Sequence, residues 1–394
     1  MRILFIVTGS QATFYATAPL ATAARNAGHD VLLAAHEPWL ETAEALGVPT
    51  VSFSSTPVRN FMRVGRSGNK LRFPKVLGDD EMVAVGQGFA KLAVASREAV
   101  LALANDWRPD LVVGSSMSYA AGLLAAEIGV PYVRQVEYLA IPMTGIDPGA
   151  EAELAPQLTD LGLPGLPEPD LVIDVTPPSI RPAVDHAAQP MRWIPSNPQR
   201  RLEPWMYLRP QGRKRVIVTS GFRSLMFRDP GWDMPRLVER LSAAGAEVLI
   251  AASPGAAERF GPQLGNARVG WIPVDVAAHT CDLAVHHGGG TTAMTFASAA
   301  VPQLIIPENP DEMPVNYHRK AIATALAGSG SARMLFPQRE APGASPADTI
   351  ADACEDFFAT TEYTSSAQTL CREIAGLPTP TEVAQKLDTL PIRV

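Results

Sequence analysis

The sequence lacks several features that would each point to a different class of protein. Its 394 residues include only 3 cysteines, Cys281, Cys354 and Cys371, with no Cys-x-x-Cys pair. This excludes a disulfide framework and a cysteine zinc site. Basic residues are not in excess, because 33 Lys and Arg stand against 40 Asp and Glu, a net charge of −7. We therefore expect no nucleic acid as the main partner.

Long hydrophobic runs are also lacking. The uncharged stretches 111–126 and 283–307 are interrupted by glycine, serine or proline, so neither is an apolar span of about 20 residues. The opening run, 2–7, is shorter than the roughly 7–15 apolar residues of a signal-peptide core and is predicted to be a buried strand. These absences predict a soluble, cytoplasmic protein without a membrane span.

What the chain does have is apolar sequence in short runs that recur in the same order. It is 46% hydrophobic over 394 residues, more than the roughly 150 residues of a typical domain, so we expect two domains. The runs 2–7 and 213–218 each lead to an Ala-Gly turn and a second run, at 31–35 and 248–252. Such runs are typical of parallel strands covered on both faces. The pattern predicts an α/β fold of two Rossmann-like, doubly wound domains, although any two such domains would share it.

Proline indicates where the two domains join. The stretch from 142 to 210 is rich in proline, and we place a hinge near 205–213. The expected domains are therefore 1–208 and 209–379. A helix around 380–394, which follows a Pro-Thr-Pro break, is expected to pack back on the first domain.

The turn that follows the apolar run 283–286 is the strongest candidate for binding chemistry. Ligands of open α/β sheets bind at the carboxyl ends of strands. Glycines allow a phosphate to approach the backbone, and the N–H groups at the start of a helix favour an anion. A simple tight turn is the alternative interpretation. The residues of this turn are His287, Gly288, Gly289, Gly290, Thr291 and Thr292.

Two further loops follow predicted strands. The first carries Ser220, Gly221 and Arg223, whose polar groups could face the same anion, or could form an ordinary polar loop. The second carries Asp311 and Glu312, which could accept hydrogen bonds from sugar hydroxyls, or could form a solvated acidic loop. The chain has no GxGxxG, GxxxxGK[ST], GxSxG or HExxH motif, and no cluster that predicts a metal site.

The chain resembles GT-B glycosyltransferases of family 1, and in particular bacterial enzymes that attach deoxysugars to polyketide antibiotics. The resemblance covers nearly the whole chain. Segments 145–154 and 202–207 resemble the angucycline subgroup, within which the similarity is to urdamycin-type C-glycosyltransferases. The donor-binding signature is carried by Val269-Gly270-Trp271-Ile272-Pro273, by 286–292, by Val301-Pro302-Gln303 and by Asp311-Glu312.

The resemblance implies a GT-B fold and an inverting transfer of a deoxyhexose from a dTDP-sugar to an aromatic polyketide aglycone. It implies no cofactor and no metal, a monomer or homodimer, and a C- or O-linked product, with C-glycosylation slightly favoured. By motif position, Trp271 and Ile272 would flank the thymine, and His287 with the glycines and threonines that follow would meet the diphosphate. Asp311 and Glu312 would meet the sugar.

The general base is the point at which the sequence departs from the family. Many members carry a histidine in the first loop, but Thr13 stands at that place and cannot remove a proton. We predict Glu137 as the base, at the carboxyl end of the strand 132–137, although a surface or salt-bridged glutamate would fit the same position. Tyr138, one residue on, and Ser10, at the end of the first strand, are the other candidates.

Two other functions are compatible with the sequence. Without a histidine at position 13, the chain could be a non-catalytic glycosyltransferase-like helper that binds a partner enzyme. It could also be another GT-B enzyme that acts on nucleotide sugars, such as a 2-epimerase. The first domain does not show the several acidic and basic groups that an epimerase favours.

Overall fold

The structure, a computed structural model, describes residues 1–62, 79–139, 143–182, 187–219, 233–307 and 316–391. Two separate parallel sheets organise the chain, one in each half. The predicted α/β fold class is confirmed. The short apolar runs form the strands of two parallel sheets, and helices cover the faces of these sheets.

The first sheet has seven strands in the order β3-β2-β1-β4-β5-β6-β7, all parallel. The strand β1 is covered on both sides, and its residues from Ile3 to Ile6 are fully buried, as the absence of polar alternation predicted. The strands are β1 Arg2–Ile6, β2 Asp30–His36, β3 Thr50–Ser54, β4 Leu111–Ser115, β5 Tyr132–Val136, β6 Leu171–Asp174 and β7 Gln189–Pro190.

Helices cover both faces of this sheet. The longest, α4, has 29 residues, but none of the helices in the described part of the chain is both long and apolar enough to cross a membrane. The helices are α1 Gln11–Asn26, α2 Leu40–Ala45, α3 Val58–Met62, α4 Asp79–Trp107, α5 Tyr119–Ile128, α6 Asp147–Asp160 and α7 Pro204–Tyr207.

The second sheet has six parallel strands in the order β10-β9-β8-β11-β12-β13. They are β8 Arg215–Thr219, β9 Glu247–Ala251, β10 Arg268–Gly270, β11 Leu283–His286, β12 Gln303–Ile305 and β13 Ala332–Met334. The helices of this half are α8 Met234–Ala243, α9 Pro254–Phe260, α10 Val274–Ala277, α11 Gly290–Ser298, α12 Asn316–Gly328, α13 Pro337–Glu340, α14 Pro346–Ala359, α15 Glu362–Ala375 and α16 Pro380–Leu387.

The order in which the chain adds strands reverses at the centre of each sheet. In the first sheet the chain builds outward from β1 to β3 on one side and continues through β4 on the other; β8 and β11 stand at the same point of the second sheet. Loops diverge at such a switch point and leave a crevice beyond the carboxyl ends of the strands. The loops after β1, β4, β5 and β11 therefore lie where a ligand can bind.

The last helix of the chain lies against its first half. Helix α16 packs on α1 through the fully buried Val383, and a Thr379–Glu382 capping box fixes its first turn. Backbone and side chains add polar contacts, since the Arg192 N–H donates to the carbonyl of Pro378 (2.7 Å) and Lys386 Nζ donates to Gln189 (2.6 Å). The chain thus crosses between the two halves a second time, after the connecting segment.

Candidate active site

The turn between β11 and α11 requires glycine at position 288. Gly288 has a φ of +84°, which side-chain-bearing residues rarely adopt. A Cβ there would also lie 3.1 Å from Ile305 Cγ2 and 3.2 Å from the carbonyl oxygen of Arg319. Gly289 then caps the nine-residue helix α11, so the free N–H groups of the helix face the end of the sheet.

His286 stabilises this turn through its hydrogen bonds. Its Nδ1 accepts a hydrogen bond from the Gly288 N–H (3.1 Å), and its Nε2 is 2.8 Å from Oε1 of Gln303. A ring nitrogen that accepts carries no proton, so Nε2 holds the proton and donates to Gln303. Burial lowers the pKa of His286 to about 4, and Gln303 in turn donates to the carbonyl of Ala293 (3.1 Å). His286 is therefore a neutral, structural side chain.

His287 occupies the mouth of the turn. Its side chain is buried, and its Nδ1 has no hydrogen-bond partner among the described residues. A Cβ built on Gly289 would be 2.8 Å from Nε2, so the ring lies alongside the start of α11. Burial lowers the pKa of His287 well below its usual value, and the charge of Arg319 and the neighbouring His286 lower it further. The imidazole is neutral.

Arg319 is a member of this site that the sequence analysis did not identify. It lies in α12, and its backbone supports Gly288. Its positive charge also opposes the protonation of His287 and lowers the pKa of Tyr138 against the effect of burial. The guanidinium is thus close to the anion-binding turn, although no motif in the sequence distinguishes it from other arginines.

The predicted thymine-flanking residues follow β10. Ile272 is buried and Trp271 is half-buried. The guanidinium of Arg200, from the segment that connects the two halves, lies 4.9 Å from the centroid of the Trp271 ring. The Trp271 ring therefore has a guanidinium against one face, and its role beside the thymine stays a prediction.

Five predicted site residues lie outside the described residues. They belong to the loops after β8 and after β12. These residues are Ser220, Gly221, Arg223, Asp311 and Glu312.

Glu137 lies directly after β5, at the same edge of the first sheet as the end of β1. It is buried, and both its oxygens accept hydrogen bonds from Ser116: Oε1 from the backbone N–H (2.8 Å) and Oε2 from the hydroxyl (2.7 Å). Burial raises the pKa of Glu137, while these hydrogen bonds act in the opposite direction. The alternative of a surface glutamate is wrong.

Tyr138 is one of the residues through which the two halves of the chain contact each other. A Cβ on Gly290 would be 2.4 Å from Cγ and Cδ2 of its ring, so the ring lies flush against the first residue of α11. Burial raises the pKa of the Tyr138 phenol, and the charge of Glu137 raises it further. A phenol with a raised pKa is a poor proton acceptor near neutral pH, which makes Tyr138 a weaker candidate for the base than Glu137.

Ser10 and Thr13 occupy the loop after β1. Ser10 is exposed and its carbonyl accepts from the Thr13 N–H (2.9 Å). Thr13 is buried, and a Cβ on Gly9 would be 2.8 Å from its hydroxyl oxygen. The hydroxyl of Thr13 thus packs against the turn at Gly9. A second contact between the halves lies nearby, where the Thr291 hydroxyl is 3.5 Å from the carbonyl of Ala12.

His36 is a second residue that the sequence analysis missed. It ends β2, is fully buried, and neither ring nitrogen has a hydrogen-bond partner among the described residues. The rings of Trp39 and Phe53 lie 6.4 Å and 6.5 Å away, and burial lowers the pKa of His36 to about 4. The available signal was a histidine at the carboxyl end of a predicted strand, next to the first loop.

The arrangement brings two kinds of chemistry together. The start of α11 offers backbone N–H groups, hydroxyls and a nearby guanidinium, which suit an anion; the end of β5 offers a buried carboxylate, which suits proton removal. Within the described ranges, no group of three or more His, Cys, Asp or Glu side chains is placed to hold a metal ion. Two parallel-sheet α/β domains that contact each other at their carboxyl edges have the architecture of a GT-B glycosyltransferase.

Comparison with known proteins gives the family. The profile of the "erythromycin biosynthesis protein CIII-like" family matches with its N-terminal domain over residues 22–221 and with its C-terminal domain over 235–390. The L-demethylnoviosyl transferase of Streptomyces niveus is 32% identical over 398 residues, which span 98% of this chain and 97% of that protein. The chain therefore belongs to this family and is a nucleotide-sugar-dependent glycosyltransferase.

Solved structures agree with this assignment. The glycosyltransferase SsfS6 of Streptomyces sp. SF2575, crystallised with thymidine diphosphate, superposes with a TM-score of 0.82 at 29% identity, over 99% of each chain. The spinosyn rhamnosyltransferase SpnG has the same fold, with a TM-score of 0.83 over 98% of this chain and 100% of that one, at 24% identity. The GT-B fold and the enzyme class predicted from the sequence are both confirmed.

The contact at Gly290 makes the first prediction. Gly290→Ala places a methyl group inside the space of the Tyr138 ring, so we expect a loss of roughly 1–3 kcal/mol in the free energy of unfolding, measured by urea and thermal unfolding. Gly255→Ala is the matched control, since a Cβ at Gly255 meets nothing within 4 Å. In a Tyr138→Ala background, Gly290→Ala should cost less than it does in the wild type, because the clash with the ring is gone. Wild-type stability of Gly290→Ala would contradict the contact.

Proposed function

We propose that the protein transfers a deoxyhexose from a dTDP-sugar to an aromatic polyketide aglycone of the angucycline type, with inversion at the anomeric carbon. The observation that carries this proposal is the contact of the start of α11 with Tyr138, the sequence neighbour of the buried carboxylate of Glu137. The thymidine diphosphate bound to SsfS6 supports the choice of nucleotide. The elloramycin glycosyltransferase of Streptomyces olivaceus, 27% identical over 406 residues, 99% of this chain and 97% of that protein, is a relative of the same enzyme class.

The second half of the chain, 209–379, is proposed to bind the donor. Trp271 and Ile272 would flank the thymine, as their half-buried and buried side chains at the end of β10 allow. The proposed sugar contacts are Asp311 and Glu312, and further donors to the diphosphate are Ser220, Gly221 and Arg223. The diphosphate itself would lie against His287, Gly288, Gly289, Gly290, Thr291 and Thr292.

The first half, 1–208, is proposed to bind the acceptor, and helix α16 packs on it. The acceptor would enter beside the loops after β1, β4 and β5. Glu137 would remove its phenolic proton, and Ser10, exposed at the end of β1, would offer a polar contact. These roles rest on position at the edge of the first sheet and on the chemistry of each side chain.

The proposed reaction is a single displacement at C1 of the sugar. The acceptor attacks as the bond from C1 to the diphosphate oxygen breaks, so negative charge grows on the leaving group. N–H groups at the start of α11 and the nearby guanidinium of Arg319 stand where that charge develops and need no rearrangement to stabilise it. A neutral His287 adds a polar contact without a formal charge.

Carbon and oxygen attack can share one base. When Glu137 deprotonates a phenol, electron density rises on the phenolate oxygen and on the ring carbons beside it. The orientation of the acceptor against C1 then selects the atom that attacks. We propose C-glycosylation, on the similarity of segments 145–154 and 202–207 to urdamycin-type enzymes.

The proposed function predicts release of thymidine diphosphate only when a suitable aglycone is present. The test incubates the protein with dTDP-deoxysugars and a panel of aromatic polyketide aglycones, and follows the nucleotide and the product by mass spectrometry. A C-glycoside will survive acid hydrolysis, whereas an O-glycoside will return the aglycone. Tight binding of thymidine diphosphate without release across the panel would instead favour a non-catalytic helper.

His287→Ala tests the proposed diphosphate site. Loss of a side-chain contact to a charged phosphate is expected to weaken thymidine diphosphate binding roughly 10- to 100-fold, measured by isothermal titration calorimetry. His279→Ala is the control, because His279 is exposed in the same half of the chain. Equal affinities for His287→Ala and wild type would remove His287 from the donor site.

Glu137→Gln tests the base. The amide keeps the shape of the side chain but accepts no proton, so kcat should fall roughly 10²- to 10⁴-fold while the affinity for thymidine diphosphate changes little. Burial raises the pKa of Glu137, and the base works only when ionised. The kcat/KM of the wild type should therefore fall as the pH drops through a value above the usual range of a glutamate. Undiminished turnover would move the role elsewhere, and Tyr138→Phe would be the next variant to measure.

A further inference from the structure

Ser116 contacts the Glu137 carboxylate at two points, in addition to a hydrogen bond from the Ser115 side chain. Ser116, the first residue after β4, gives its backbone N–H to Oε1 (2.8 Å) and its hydroxyl to Oε2 (2.7 Å). Two parallel hydrogen bonds fix both the position and the plane of a carboxylate, which one bond cannot do. Ser116 is half-buried, whereas Glu137 is buried, so the pair lies at the boundary between the protein interior and the crevice.

The turn that carries Ser116 is itself fixed by buried hydroxyls. The Ser118 hydroxyl accepts from the Thr8 N–H (3.1 Å) and lies 2.9 Å from the Thr8 hydroxyl, and Ser115 bonds to Ser118. These contacts tie the end of β4 to the end of β1. The two donors of Ser116 are therefore presented by a rigid segment rather than by a loose loop.

We propose that Ser116 is a positioning residue for the reaction: its hydroxyl keeps the Glu137 carboxylate oriented toward the acceptor and keeps it ionised. This inference rests on the proposed role of Glu137 as the base. A hydroxyl is suited to the task because it donates to the carboxylate before proton transfer and can turn to accept from the carboxylic acid afterwards. The proton passes from the phenol to Glu137, and no further group is consumed.

The direction of the effect on the pKa follows from the charges around the pair. Burial favours the neutral acid, and hydrogen bonds from Ser116 and Ser115 favour the ionised form. The titratable group that acts on this charge is Tyr138, whose own pKa Glu137 raises, and Arg319 faces that same phenol. Removing the Ser116 hydroxyl removes one donor to the charged form and leaves burial unchanged, so the pKa of Glu137 must rise.

Ser116→Ala isolates the hydroxyl, since the backbone N–H remains. The titration of Glu137 is followed by ¹³C NMR of the side-chain carboxyl, assigned by its absence in Glu137→Gln. We expect the midpoint in Ser116→Ala to move up by about one pH unit. The acidic limb of kcat/KM against pH should move with it, giving an approximately tenfold loss on that limb. Ser116→Thr, which keeps a hydroxyl, should restore both.

The control is Ser96→Ala, a buried serine of α4 whose hydroxyl bonds only to backbone carbonyls of its own helix (2.8 Å to Leu92). If Ser116→Ala does not fold, Ser116→Cys carries the test, because a thiol has similar size and is a weak donor, and the midpoint should again rise. An unchanged midpoint with lost turnover in Glu137→Gln would overturn this inference alone. Full turnover in Glu137→Gln would overturn the base assignment and the role of Ser116 with it.

Discussion

The contact between Gly290 and the ring of Tyr138 is the constraint on which the site depends. Gly290 opens a helix at the carboxyl edge of the second sheet, and Tyr138 follows a strand at the carboxyl edge of the first. A methyl group at position 290 would overlap the ring, so the two edges approach this closely only because that residue is glycine. The approach brings the start of α11 next to Tyr138, the residue that follows Glu137. The return of α16 to α1 holds the halves together at a second place.

The proposed diphosphate site at the start of α11 suits an anion although it carries little formal charge. Burial lowers the pKa of His286 to about 4 and that of His287 well below its usual value, so both imidazoles are neutral and act through hydrogen-bond geometry. Backbone N–H groups at the start of α11 supply a positive potential that acts over the first turn only. Arg319 adds a full charge nearby. A net charge of −7 is therefore no obstacle to a diphosphate, because screening leaves local donors to decide its binding.

The fold was predictable because its signals are local. Short apolar runs without alternation revealed β1, β8 and β11, and a glycine-rich turn revealed the residues 287–292. Ser116, His36 and Arg319 were not predictable, because their significance depends on partners that only tertiary folding supplies. Ser116 is 21 residues from Glu137 in sequence, and Thr291 is 279 residues from Ala12. The loops with Ser220 and Asp311 lie outside the described residues, so their contacts stay predictions.

The proposed reaction places opposite electrostatic demands on the start of α11 and on Glu137. At the start of α11, negative charge grows on the leaving diphosphate, and every fixed hydrogen-bond donor that faces it lowers the barrier. At Glu137, charge disappears as the carboxylate takes a proton, so hydrogen bonds that stabilise the ionised form also weaken the base. If Glu137 is the base, as proposed, burial raises its pKa and makes it a stronger base, while the hydrogen bonds from Ser116 favour its ionised form. Proton transfer is most efficient when the pKa lies near the working pH, so a base at this position needs both effects.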